Sequence, residues 1–201
     1  MAAHDSRYAA AQSLWRRPAG ELPAAPGKNT LERKVTAIVK TPMTPLDFMR
    51  RARRLYGERE AVVDEGLRLS YSAFFERCDK WSAVLQRYGI GKGDRVAYLA
   101  PNTHALLEGF YAVPQIGAIL VPINYRLTAD DFAYIINHSG ARIVCAHADQ
   151  LDALESIRTK LPAVERFIAL EGAKAGWLDY EAELARGAAG ALRRPAISKT
   201  T

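Results

Sequence analysis

The sequence predicts an α/β fold, a mostly parallel sheet flanked by helices, with a small N-terminal hairpin and disordered ends. Two observations predict it. Short apolar runs of strand type alternate with segments of helical period between residues 42 and 185. The links between them are also short, so each strand is followed by a crossover helix that returns the chain in the same direction. Right-handed crossovers are expected.

The body opens at Thr44-Pro45, an N-cap followed by proline at the first helical position. Leu46, Met49, Ala52 and Leu55/Tyr56 recur at helical spacing, and Gly57 ends the helix. Ala61-Val62-Val63-Asp64 and Leu67-Arg68-Leu69-Ser70, joined by Glu65-Gly66, read as a hairpin. Ser70 caps the next helix, whose Phe74, Cys78, Trp81 and Leu85 share one face. Gly89, Gly91 and Gly93 then turn the chain into the strand Arg95-Val96-Ala97-Tyr98-Leu99-Ala100, which exits at Pro101-Asn102.

Leu106, Leu107, Phe110 and Tyr111 restore helical spacing until Pro114, which lacks an N–H and must kink or end the helix. Ile119-Leu120-Val121-Pro122-Ile123 is the next strand. Thr128 caps a helix with Asp130 and Asp131 in its first turn, where the dipole favours acids, and Ser139-Gly140 closes it. Residues 141–146 form a strand, 150–161 a helix and 166–170 another strand. Trp177-Leu178-Asp179-Tyr180 starts a last short amphipathic helix. Residues 1–41 and 186–201 carry no sustained period and are expected to be disordered.

Composition sets limits. The chain has 201 residues, 49% apolar and 25% charged, with a formal charge of +6, ordinary values for a globular protein of one domain or one and a half. No apolar run approaches the roughly 20 residues that cross a bilayer. The nearest, residues 113–123, is broken by Pro114, Gln115 and Pro122. Two cysteines fit a reducing compartment rather than a disulfide scaffold. The expected location is the cytoplasm. A mitochondrial alternative rests on Arg16 and Arg17 in the Ala-rich tail, although Asp5, Glu21 and Glu32 are wrong for a transit peptide.

Five stretches of the body, in order, resemble the N-terminal part of the AMP-dependent synthetase and ligase family, the acyl-CoA synthetases in particular. They are Thr44-Pro45-Leu46-Asp47-Phe48 with Leu55-Tyr56-Gly57 and Ala61-Val62-Val63; Leu69-Ser70-Tyr71; Gly91-Lys92-Gly93-Asp94-Arg95-Val96-Ala97 with Pro101-Asn102; Gly117-Ala118-Ile119-Leu120-Val121-Pro122-Ile123-Asn124 with Arg126-Leu127-Thr128; and His138-Ser139-Gly140-Ala141-Arg142. The resemblance covers about two thirds of the chain and neither end. It implies the N-terminal subdomain of the adenylate-forming fold. For the family it implies ATP-dependent activation of a fatty or other carboxylic acid through an acyl-adenylate, then transfer to coenzyme A, with ATP, Mg and CoA as cofactors. That chemistry uses a Ser/Thr/Gly-rich loop ending in Lys-Gly, an adenine strand, a ribose-binding acid and a late lysine. A phosphate cradle is physically a run of backbone N–H groups made approachable by glycine. The densest Ser/Thr cluster, Ser198-Lys199-Thr200-Thr201, contains no glycine. The expectation is a truncated ligase, inactive alone. The alternative is a non-catalytic module that pairs with a full-length synthetase.

The remaining candidates have plain readings. Gly89-Ile90-Gly91-Lys92-Gly93 follows a helix and precedes a strand, the reverse of a nucleotide loop, so it reads as a turn. Arg50-Arg51-Ala52-Arg53-Arg54 suggests a nuclear signal, a phosphate patch or a membrane-surface patch; a solvated helix face opposite Leu46, Met49 and Leu55 is preferred, and no nucleic-acid partner is expected. His4, His104, His138 and His147 show no ligand spacing, and Cys78 and Cys145 lie on apolar faces as inert thiols. Asp130-Asp131 is explained by its helix N-terminus. No catalytic, cofactor-binding or metal-binding residue is assigned.

Overall fold

A computed structural model describes residues 44–194; the tail expected over residues 1–41 and residues 195–201 lie outside the described residues. The elements are α1 (Pro45–Tyr56), β1 (Glu60–Asp64), β2 (Leu67–Ser70), α2 (Tyr71–Arg87), β3 (Arg95–Leu99), α3 (His104–Gln115), β4 (Ile119–Pro122), α4 (Ala129–Ser139), β5 (Ile143–Ala146), α5 (Leu151–Ser156), β6 (Arg166–Ala169), β7 (Leu178–Asp179) and α6 (Tyr180–Arg186). β1 and β2 form the antiparallel hairpin, with Glu65 in the left-handed region at φ 48°. The remaining strands form one five-stranded sheet in the order β4-β3-β5-β6-β7, every pair parallel. The expected fold class is therefore the observed one.

The central strands β3, β5 and β6 are continuously apolar and largely buried on both faces, while the edge strand β4 is partly exposed. Period-2 alternation divides them between two cores. Val96, Tyr98, Ile143, Cys145 and Ile168 pack with α2, α3 and α6. Ala97, Leu99, Val144, Ala146, Phe167 and Ala169 pack with α4 and α5 on the opposite face. Helices sit where their caps allow. Ser70, Thr103 and Thr128 accept hydrogen bonds from the third residue onward, and Gly140 at φ 65° closes α4. Pro114 is the penultimate residue of α3.

Four sequence expectations need correction. In α1, Leu46 and Met49 pack inward, but Leu55 and Tyr56 do not: they are 49% and 42% exposed. The helix turns 100° per residue, and the inward face is set by Met49 and by Arg53 reaching Asp79 at 2.9 Å, which rotates Leu55 outward. The helix expected over 150–161 breaks into α5 flanked by 3₁₀ turns. Its buried residues Leu151, Leu154 and Ile157 fall three apart, a spacing that suits the tighter turn. Leu178 and Asp179 extend the sheet against Ile168 and Ala169 before the last helix begins at Tyr180. Residues 187–194, expected without order, dock on α2. The Gln86 amide exchanges two hydrogen bonds with the Arg193 backbone, and Arg194 reaches Asp79 at 3.1 Å. Hydrogen bonds of this kind leave no hydrophobic period to read.

Candidate functional site

Open parallel sheets present ligands with the carboxyl ends of their strands, at the point where strand order reverses. Here that point lies between β3 and β5, because β3 connects outward to β4 and the chain then returns past it to β5. Backbone bonds from Ile123 to Tyr98 (2.8 Å), His147 to Leu99 (2.9 Å) and Leu170 to Ala146 (2.8 Å) carry the ladder to this edge. The edge brings together the strand exits Asn102, Asn124, His147 and Glu171. His147 Nε2 lies 3.2 Å from Glu171, while its Nδ1 accepts from the Asp149 N–H at 3.4 Å.

Beside the β3 exit stands a charge cluster the sequence did not announce. The Glu108 side chain is fully buried in α3 and faces Arg77 of α2, whose Nε and Nη2 reach it at 2.5 and 3.3 Å. The Tyr180 hydroxyl donates to the same carboxylate at 2.5 Å. Arg77 also holds Glu181 through Nη1 at 3.0 Å. His104 completes the chain: its backbone N–H and Nδ1 both lie 2.7 Å from Asp64, and its Nε2 lies 3.6 Å from Glu181. One network thus ties β1, α2, α3 and α6 together.

Its electrostatics follow from these contacts. Burial raises the pKa of the Glu108 carboxyl, with Arg77 and Tyr180 working the other way. The Glu181 carboxylate beside it raises His104 to about 8 against the pull of desolvation, and Asp64 adds to the rise. The same contact lowers Glu181 to about 2 against burial, helped by Arg77. A signal for Glu108 exists in the sequence: an acid four residues before the buried Ala112 lies on the inward face of an otherwise apolar helix.

A cavity of about 220 Å³ opens over this corner, lined by Val63, Asp64, Asn102, His104, Leu107 and Phe110 among others. A larger one, about 580 Å³, lies beneath α1 between Leu46, Met49, Pro114, Gln115 and arginines 50, 53, 54 and 194.

The other sequence candidates fall as follows. Gly89 and Gly93 sit in turns with φ 77° and 85°, and the Gly91 N–H is taken by Asp94 at 2.9 Å. Cys78 and Cys145 are free and buried, and burial pushes both thiols up. His138 stacks on Tyr134. Asp131 bonds Thr128 in a capping box, and Asp130 pairs with Lys160 at 2.8 Å. Among the described residues, no group of three His, Cys, Asp or Glu is arranged to hold a metal ion. The N-termini of α2, α3, α4 and α6 are each capped by a side chain of the chain itself. Each of these helices spends one of its first N–H groups on its own cap.

Comparison with known proteins gives the fold a lineage. The family described as AMP-binding enzyme matches residues 48–198. The chain is 36% identical over 143 residues to the long-chain-fatty-acid--CoA ligase of Thermus thermophilus, covering 69% of this chain and 26% of that protein. It is 35% identical over 121 residues to 4-hydroxybutyrate--CoA ligase 2 of Metallosphaera sedula, covering 60% and 22%. Among solved structures, the inhibitor-bound N-terminal domain of FACL13 from Mycobacterium tuberculosis superposes with TM-score 0.67 at 28% identity, covering 78% of this chain and 38% of that one. The anthranilate CoA ligase AuaEII in complex with anthranoyl-AMP shares the fold at TM-score 0.69 and 23% identity, covering 72% and 28%. The chain spans about a quarter of the length of these two curated relatives. With the strand order, the motif order and the family match in agreement, the chain belongs to the AMP-binding enzyme family.

Proposed function

We propose that this chain is the N-terminal scaffold of an acyl-CoA synthetase-like ligase and forms no acyl-adenylate by itself. The parent reaction activates a fatty or other carboxylic acid with ATP and passes the acyl group to CoA, with Mg supporting the phosphate chemistry. Its relatives' names as CoA ligases support this reading. The observation that carries it is chemical: the densest charge cluster, Arg77-Glu108-Glu181-His104-Asp64, is closed on itself, and four helix N-termini are self-capped. A triphosphate needs free cations and N–H groups converging on one point. What these residues supply instead is a rigid carboxyl edge at the β3/β5 switch point. ATP–pyrophosphate exchange by the purified chain tests the proposal. Exchange at background with a panel of carboxylic acids is expected, and exchange above background with any of them would refute it.

One observation favours a second reading, a non-catalytic module that pairs with a full-length synthetase. Val63, Leu107 and Phe110 are 54%, 39% and 43% exposed and all line the 220 Å³ cavity. Apolar side chains gathered on one surface mark an interaction site. Co-purification of a longer synthetase with a tagged copy, lost on Phe110→Asp, is the expected result of that reading; an unpaired tagged copy argues against it.

A further inference from the structure

We propose that α1 docks this chain on the surface of an anionic lipid bilayer. The helix is apolar on more of its circumference than the core uses. Leu46 and Met49 face inward. At 100° per residue, Tyr56, Ala52, Phe48 and Leu55 continue round the helix, followed by Arg51, Asp47, Arg54 and Arg50. Phe48 is 59% exposed, and with Leu55 and Tyr56 it leaves three large apolar side chains in water on one short helix.

The charges beside them are only partly used. Arg50 pairs with Asp47 at 2.7 Å, and Arg53 turns inward to Asp79. Arg51 and Arg54 make no ion pair with any described residue. Arg59, just past the helix, lies over the Tyr56 ring at 5.4 Å. The acids of this stretch are Asp47, which Arg50 neutralises, and Glu58. An apolar edge bordered by unpaired cations is the make-up of a helix that lies in the plane of a membrane interface. A solvated face accounts for the arginines but leaves Phe48 and Leu55 unexplained. A nucleic acid would meet the arginines and leave Leu55 wet. No helix among the described residues is long and apolar enough to cross a membrane, so the association is peripheral. It does not rest on the ligase reading.

Vesicle co-sedimentation of the full chain tests this. The chain is expected to pellet with phosphatidylcholine vesicles containing phosphatidylglycerol, not with phosphatidylcholine alone, and to be released by high salt. Arg51→Glu with Arg54→Glu, and separately Phe48→Ser with Leu55→Ser, should each lower partitioning about tenfold or more, while Phe110→Ser leaves it unchanged. Basic residues of the first 41 positions stay in place in every variant, so the difference reports α1. All four substituted side chains are exposed, and circular dichroism melts confirm that the variants fold. Equal binding to both vesicle types, or undiminished binding by the arginine variant, would overturn the proposal. So would retention of a nucleic acid with the same arginine dependence while vesicles stay unbound, or a Phe48-dependent dimer that ignores vesicles.

Discussion

Tyr98 of β3 occupies the space that a side chain at Gly109 of α3 would need. A Cβ placed at residue 109 comes 2.7 Å from the Tyr98 ring carbon Cζ and 3.1 Å from its hydroxyl. The ring cannot retreat, because Tyr98 is 1% exposed and its hydroxyl accepts a hydrogen bond from Trp81 Nε1 at 2.6 Å. Close helix-to-sheet packing here therefore depends on glycine.

Gly109→Ala should destabilise the fold by about 1–3 kcal/mol, the usual cost of overpacking, outweighing a helix-propensity gain of up to about 1 kcal/mol. Urea unfolding midpoints of the two proteins check this. A midpoint equal to or above the parent's would mean that the contact relaxes.

Stability should fall as pH rises through the His104 transition. A histidine whose folded pKa, about 8, exceeds its unfolded value of about 6.5 contributes fully below 6.5 and loses that contribution as pH passes 8. Allowing for partial solvent screening, the loss is about 1 kcal/mol. Denaturant unfolding of parent and His104→Gln at pH 6 and pH 9 measures it in the same window. The parent should weaken toward pH 9 and the variant should not.

Arg77→Met strands the Glu108 carboxylate in the core and should cost about 3–5 kcal/mol. Arg77→Met with Glu108→Met should cost less than the sum of the two single changes, because no charge is then left unpaired. A double-mutant cycle in urea decides it. Strict additivity would show that the two groups act independently.

Cys78 and Cys145 should resist a thiol reagent such as dithionitrobenzoate in the native chain and react stoichiometrically in denaturant. Both side chains are fully buried and burial suppresses their thiolates. Rapid native-state labelling would show that the sheet opens locally.

Most of the sheet was legible because strand runs such as Val96-Ala97-Tyr98-Leu99 and caps such as Ser70 and Thr128 encode structure locally. What was not legible is what depends on distant partners. Leu55 reads as core by spacing alone, and the burial of Met49 together with the Arg53–Asp79 pair, across 26 residues, sets the rotation that exposes it. Arg77 and Glu181 are 104 residues apart, and no local pattern couples them. Residues 187–194 are held by one glutamine side chain, an aspartate and the single apolar contact of Leu192, which a search for hydrophobic period cannot find.

The strand order carries one more consequence. β3 is the first strand of this sheet to be made, yet it ends up second from one rim, so growth proceeds outward to either side. Two hydrogen-bonding rims remain among the described residues. β4 finishes on Pro122, which offers no N–H to a newcomer, and β7 is only two residues long. Fibril-like stacking of copies through added strands is thus discouraged at both rims.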